Sequence, residues 1–223
     1  MARHIHLGRL FNIPVYLDTS WFFVLALVVW TLASRYFPTR VPDLSLSTYW
    51  LMGLVAALWL FTCVLLHELG HALVAKFYGI RVKRVTLFIF GGVAQMARDP
   101  KRPLVELMVA LAGPLVSVAI ATLCYGLSIL MPVDTQPQLI RFAIVWYLAI
   151  VNVVILVFNL LPGFPLDGGR VVRAILWAWS GNLRKATRIA SALGSAVGLG
   201  LMMLGLLSIV QGRWVGGIWS IVL

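Results

Sequence analysis

The chain has 223 residues, of which 61% are hydrophobic and 11% are charged, and its formal net charge is +11. Soluble domains are roughly half apolar and a quarter charged, so this composition excludes an ordinary soluble domain and indicates a membrane protein. The positive charge could suggest nucleic-acid binding, but the Lys and Arg residues lie between apolar runs, where membrane topology explains them, and we expect no nucleic-acid partner.

Apolar runs long enough to cross a bilayer recur along the chain. They predict an all-α polytopic membrane protein, a bundle of about six transmembrane helices that forms one domain over residues 1–223. The sequence stops inside the sixth run, so we expect that helix to be truncated. The predicted helices cover residues 19–37, 48–77, 104–131, 139–161, 187–210 and, in part, 214–223.

Three segments outside these helices have patterns of their own. Residues 7–17 alternate loosely and predict a short strand or a membrane-surface segment. Residues 81–97 alternate β-branched and aromatic residues around two glycines, which predicts a small membrane-associated β-hairpin. Residues 161–169, LPGFPLDGG, hold two prolines and three glycines, so the helix backbone must unwind there.

Near the end of the second helix the sequence reads HELGH, residues 67–71. Residues four apart share one face of a helix, so His67 and His71 can both reach one metal ion. Glu68, offset by one residue, can flank that metal and act as a general base in hydrolysis. The alternative is a set of buried polar residues that satisfy one another within a helix bundle.

A catalytic zinc ion takes three protein ligands and keeps one position for water, so one ligand remains to be found. Among the seven Asp and Glu residues, Asp167 is the one that sits in a broken helix at the membrane level of the histidines. Unwound backbone at that depth is tolerated where it is buried in protein or lines a polar cavity, so the break itself indicates a site. The alternative is a break that only ends the helix, with Asp167 as a cap.

Two further polar residues, Asn159 and Glu106, need an interpretation. The amide of Asn159, eight residues before Asp167, could donate to the oxyanion that forms as water attacks a peptide carbonyl. Packing or capping would explain this asparagine equally well. Glu106 lies in the first turn of the third helix, where the positive helix terminus favours a carboxylate.

HELGH and the later NLLPGFPLDGGR together resemble the site-2 protease family, and the FGGV and ALAGP stretches and the helix order are similar too. The resemblance implies an intramembrane zinc metalloendopeptidase with one Zn²⁺ per chain, Glu68 as general base and Asn159 as oxyanion donor. The zinc ligands that it implies are His67, His71 and Asp167. The hairpin residues that it implies in binding an unwound substrate are Phe90, Gly91, Gly92 and Val93.

The chain also departs from parts of that family. Only residues 132–138 separate the third and fourth helices, so no PDZ domain is inserted and the chain resembles the compact six-helix branch. The CBS domains that often follow the sixth helix in that branch are absent from this sequence, which we therefore expect to be an excised fragment or a truncated gene product. The expected substrate is a membrane-embedded protein, cut in or near its transmembrane segment within the lipid bilayer. The alternative is a membrane metal-binding or metal-transport protein that uses the same ligands without proteolysis and does not need Glu68.

The basic residues predict how the chain is oriented. With a cytoplasmic N-terminus, four of the eighteen Lys and Arg residues lie on the opposite side, namely Arg35, Arg40, Arg141 and Arg213. An excess of basic residues marks the cytoplasmic side of a membrane protein. We therefore expect a multi-pass protein of a prokaryotic plasma membrane, with its N-terminus and the opening of its active site facing the cytoplasm.

Overall fold

The structure is a computed structural model that describes residues 4–89 and 91–212. Its strands are β1 (His4–Leu10), β2 (Ile13–Asp18), β3 (Val82–Phe88) and β4 (Gly91–Met96). Its helices are α1 (Ser20–Thr31), α2 (Phe37–Arg40), α3 (Leu46–Phe77), α4 (Pro103–Leu130), α5 (Gln136–Asn159), α6 (Asp167–Ser180) and α7 (Leu183–Val210), with a π-helical turn at Leu32–Tyr36 between α1 and α2.

Within the described residues, five helical segments are long and apolar enough to cross a membrane. This confirms the predicted fold class, a mostly helical multi-pass membrane protein with a small sheet. The predicted partial sixth helix, residues 214–223, lies outside the described residues. The five segments are Ser20–Arg40, Leu46–Phe77, Pro103–Leu130, Gln136–Asn159 and Leu183–Val210.

Helix α3 carries the HELGH sequence and has clear signals at both ends. The side chain of Ser45 caps its first turn by accepting from the backbone N–H of Thr48 at 3.2 Å. After Phe77 the chain leaves the helix through Gly79, whose φ of +73° is a conformation that glycine adopts most easily. The 32 residues between these signals rise about 48 Å, more than the hydrocarbon thickness of a bilayer.

The described chain forms two compact units, and each is considered by itself. The first takes in Met1–Pro100 and Ala112–Leu156, and the second takes in Lys101–Leu111 and Val157–Leu223.

The first unit contains a four-stranded sheet in the order β1-β2-β3-β4. Strands β2 and β3 are parallel, and the two outer pairs are antiparallel. The apolar side chains of Ile13 and Val85 pack with Leu69 and Ala72 of α3 in one buried cluster. The sheet therefore lies against the part of α3 that contains the two histidines.

The second unit contains the Pro/Gly-rich segment, and its unwound part is shorter than the sequence predicts. Helix α5 ends at Asn159, and α6 begins at Asp167. The N–H of Leu166 donates to the carbonyl of Gly163 at 3.0 Å, and the N–H of Gly169 donates to the carbonyl of Leu166 at 3.1 Å. Helical hydrogen bonding thus restarts at Leu166, which is the N-cap, and Asp167 lies in the first helical turn. The alternative role of Asp167 as the cap is therefore wrong.

Candidate metal centre

His67 and His71 lie one turn apart on α3, as their spacing predicts. Both are buried, with 3% and 4% of their surface exposed. Their Nε2 atoms are 3.3 Å apart, and the two rings meet at an angle of 78°. The two ring nitrogens therefore converge on one region beside the helix.

Ser117 of α4 holds the ring of His67 from the opposite side. Its Oγ lies 2.9 Å from Nδ1 of His67, and both side chains are buried. When the Nδ1–H donates to this hydroxyl, Nε2 carries no proton and is available as a ligand. Nothing in the sequence pattern singles out Ser117, although it follows Gly113 by four residues and so shares its helical face.

Gly113 keeps the space in front of the two Nε2 atoms clear. A Cβ at this position would lie 2.6 Å from Nε2 of His67 and closer still to Nε2 of His71. The two helices approach closely here because Gly70 of α3 also lacks a side chain, and a Cβ on it would lie 2.9 Å from the carbonyl oxygen of Ala112. The lack of a side chain at Gly113 therefore lets the backbone of α4 lie close to the two imidazole nitrogens, and imidazole nitrogen is a common zinc ligand.

Glu68 lies against the β3–β4 hairpin and is half-buried. A Cβ on Gly92 would lie 3.0 Å from Cδ and 3.2 Å from Oε1 of Glu68, so the hairpin backbone and the carboxylate are neighbours. Gly91 has a φ of +118°, which a residue with a side chain rarely adopts. Val93 is 40% exposed, and Phe90 lies outside the described residues. The structure thus brings Gly92 to Glu68.

Asp167 and Asn159 belong to the second unit. Asp167 is buried in the first turn of α6, and Asn159, the last residue of α5, is half-buried. Asp167, like the two histidines of the first unit, is a buried residue that offers one ligand atom. Two imidazoles and one carboxylate are a donor set that catalytic zinc sites use.

Comparisons with known proteins agree with this chemistry. A profile of Peptidase family M50 matches residues 55–205. The protein sll0528 of Synechocystis, whose name includes the words zinc metalloprotease, is 41% identical, over 100% of this chain and 57% of that one. Zinc metalloprotease MJ0392 of Methanocaldococcus jannaschii is 36% identical, over 93% of this chain and 56% of that one.

A solved structure is similar as well. The site-2 protease from Methanocaldococcus jannaschii matches with a TM-score of 0.63 at 30% identity, covering 98% of this chain and 92% of that chain. The present chain spans little more than half the length of the two relatives above. The family profile nevertheless covers most of it, including HELGH and the segment with Asp167. This chain belongs to peptidase family M50, the family of the site-2 proteases.

Proposed function

We propose that this protein is an intramembrane zinc endopeptidase, acting as a single domain, that hydrolyses a peptide bond in or near the transmembrane segment of a membrane protein. The observation that carries the proposal is the pair of Nε2 atoms that converge beside α3. Ser117 orients one of the two rings, and Gly113 places no side chain against their Nε2 atoms. The names of the relatives, which include the words zinc metalloprotease, support the same reading.

One Zn²⁺ per chain would be held by His67, His71 and Asp167. Two neutral imidazoles leave the charge of the ion uncompensated, and the carboxylate of Asp167 offsets part of it. In support, Asp167 is an acidic side chain that is only 8% exposed, in a chain whose helices are apolar enough to span a membrane. Ionisable groups in such surroundings are costly and commonly serve function.

The bound zinc would supply a Lewis acid that polarises a carbonyl and lowers the pKa of a coordinated water. Glu68 takes the proton that the attacking water loses as its oxygen bonds to the peptide carbon. When the C–N bond breaks, Glu68 passes that proton to the leaving amine. The side-chain amide of Asn159 donates to the carbonyl oxygen as negative charge develops on it.

The substrate would bind as an extended strand, because an intact helix shields its own peptide bonds. Strand β4 is at the edge of the described sheet, where it offers backbone groups for pairing. The contact between Gly92 and Glu68 means that a strand added to β4 would run beside the general base. The residues proposed to contact the substrate are Phe90, Gly91, Gly92 and Val93.

The proposed location is a prokaryotic plasma membrane, with the N-terminus and the opening of the site facing the cytoplasm. The support is the concentration of Lys and Arg residues in the segments that this topology places inside. The relatives come from a cyanobacterium and an archaeon, which agrees with a prokaryotic source.

The test compares the wild-type protein with Glu68→Gln. Both are purified, incubated with single-span membrane proteins in lipid vesicles, and the products are mapped by mass spectrometry. We expect Glu68→Gln to bind zinc normally. Its cleavage rate should fall by roughly 10²-fold to 10⁴-fold, because the general base is removed. A zinc chelator should stop the wild-type reaction.

Asp99→Asn is the matched control, because it also removes one carboxylate but from an exposed position. It should cleave like the wild type. If Glu68→Gln cleaves at the wild-type rate, the proposed chemistry is wrong. If neither protein cleaves but both carry zinc across the vesicle membrane, the metal-transport alternative is correct.

A further inference from the structure

Glu106 and Arg173 form a buried ion pair in the second unit. Glu106 lies in the first turn of α4 and is only 1% exposed, and the side chain of Arg173, on α6, is 15% exposed. Nε of Arg173 donates to Oε1 of Glu106 at 2.6 Å, and its Nη2 donates to the same oxygen. A buried pair of this kind contributes little net stability compared with apolar packing, so stability alone does not explain it.

Arg173 also contacts the loop that precedes α6. Its guanidinium carbon lies over the ring of Phe164, 5.1 Å from the ring centroid. Arginine suits this double contact because its planar group can stack on an aromatic face while its N–H groups donate to a carboxylate. One side chain therefore joins the start of α4 to the loop, three residues before Asp167.

The loop packs tightly against the start of α6, so a displacement of Phe164 would also displace the first turn of that helix. A Cβ on Gly169 would lie 2.6 Å from the backbone nitrogen of Phe164, and one on Gly168 would lie 2.5 Å from the carbonyl carbon of Leu160. Asp167 lies between Phe164 and these two glycines in the chain. Its position thus depends on that of the loop.

We infer that the Glu106–Arg173 pair is a positioning device for the carboxylate of Asp167. By holding Phe164, the pair fixes the loop and the first turn of α6, and so the direction from which Asp167 reaches a metal ion. The inference rests on the proposed function, because it requires Asp167 to be a zinc ligand. Neither Glu106 nor Arg173 touches the metal or the substrate in this role.

The test measures zinc affinity and not only activity. The full chain is purified with Arg173→Gln, Arg173→Lys or Glu106→Gln, and the dissociation constant for zinc is measured by competition with a chromophoric chelator. We expect Arg173→Gln and Glu106→Gln to bind zinc roughly tenfold to a hundredfold more weakly, the usual effect of losing a group that orients a ligand. Arg173→Lys keeps the charge without the planar stack and should be intermediate. Arg184→Gln removes an exposed charge from α7 of the same unit and should bind like the wild type.

Thermal unfolding of the zinc-free variants separates positioning from a merely structural role. A lowered midpoint with an unchanged zinc dissociation constant would overturn the inference. If Arg173→Gln does not fold, the test uses Arg173→Lys and Glu106→Asp, which keep both charges and change only the geometry of the pair. Both variants should bind zinc more weakly than the wild type. Unchanged zinc affinity in both would overturn the inference.

Asp167→Asn shows which of the two proposals fails. If the wild type binds no zinc, or if Asp167→Asn binds it as tightly as the wild type, the proposed function fails and the inference falls with it. If zinc affinity depends on Asp167 but not on Arg173 or Glu106, only the inference fails.

Discussion

Replacing Gly113 with alanine tests whether the bare surface of α4 is what leaves room for a zinc ion. The added Cβ would lie 2.6 Å from Nε2 of His67 and closer still to Nε2 of His71. Unbonded heavy atoms prefer about 3.5 Å or more, so the imidazoles must retreat by about 1 Å. A misplacement of that size costs on the order of 10²-fold in rate, or about 2.7 kcal/mol of transition-state stabilisation.

The assay combines zinc affinity with cleavage of a membrane-embedded substrate. We expect Gly113→Ala to lose about 10²-fold in cleavage rate and to bind zinc roughly tenfold to a hundredfold more weakly. Gly126→Ala is the matched control in the same helix, because a Cβ there meets nothing within 4 Å. It should keep both properties and gain up to about 1 kcal/mol of stability, since alanine favours a helix more than glycine does.

The result that would refute this reasoning is a Gly113→Ala protein with wild-type zinc affinity and wild-type cleavage. The imidazoles could not then face Gly113 when zinc is bound. If Gly126→Ala also loses zinc, any change in α4 disturbs the protein. The effect of Gly113→Ala could then not be attributed to the contact between its Cβ and the imidazoles.

Three further predictions follow from other contacts. Ser117→Ala removes the hydroxyl 2.9 Å from a histidine ring and should weaken zinc binding roughly tenfold to a hundredfold, measured by chelator competition; unchanged affinity would contradict it. Gly168→Ala places a Cβ 2.5 Å from a main-chain carbonyl carbon and should destabilise the protein by about 1–3 kcal/mol in thermal unfolding, whereas Gly198→Ala, with nothing within 4 Å, should not. The pKa of Asp18 is lowered from 3.8, chiefly by a side-chain hydrogen bond from Ser20. The ionised carboxylate therefore stabilises the fold at neutral pH, and this stabilisation is lost as the pH falls through the lowered pKa. In an NMR titration Ser20→Ala should raise this pKa, and an unchanged value would contradict the assignment of its cause.

The histidine pair and the β3–β4 hairpin could be predicted because both depend on local spacing. Residues four apart face the same way in any helix, and Gly91 and Gly92, which begin β4, separate two alternating runs in the sequence. The parallel pairing of β2 with β3 could not be predicted in this way. It joins Val15 to Val85, and no local pattern reports a contact between such distant parts of the chain.

The position of Asp167 at the start of a helix could not be predicted from the composition of the surrounding segment. The prolines and glycines of residues 161–169 predict a break in the helix, but they do not determine where the helix resumes. The structure resumes it at Asp167, directly after the N-cap Leu166, whose carbonyl accepts from the N–H of Gly169. A carboxylate in the first turn of a helix is also favoured by the helix dipole.

The role of Glu106 could not be predicted from its position within its own helix. Its place in the first turn of α4 is enough to account for a carboxylate on a solvated helix end. The structure instead buries it against Arg173, which lies 67 residues further along the chain. Ser117 and Gly113 are similar cases, because their importance comes from contacts with a different helix.

If the proposed function is correct, the contact between Gly92 and Glu68 has a consequence for which membrane proteins this chain would cleave. A substrate strand that pairs with β4 would form hydrogen bonds through its backbone N–H and C=O groups. Because these groups are the same in every polypeptide, such pairing depends little on the side chains of the substrate. Under that proposal, the choice of substrate would depend on how readily a segment of the target's transmembrane helix unwinds inside the bilayer. Targets with glycine or proline in their spanning segments should be cut faster than equally hydrophobic ones rich in leucine, whatever their exact order of residues.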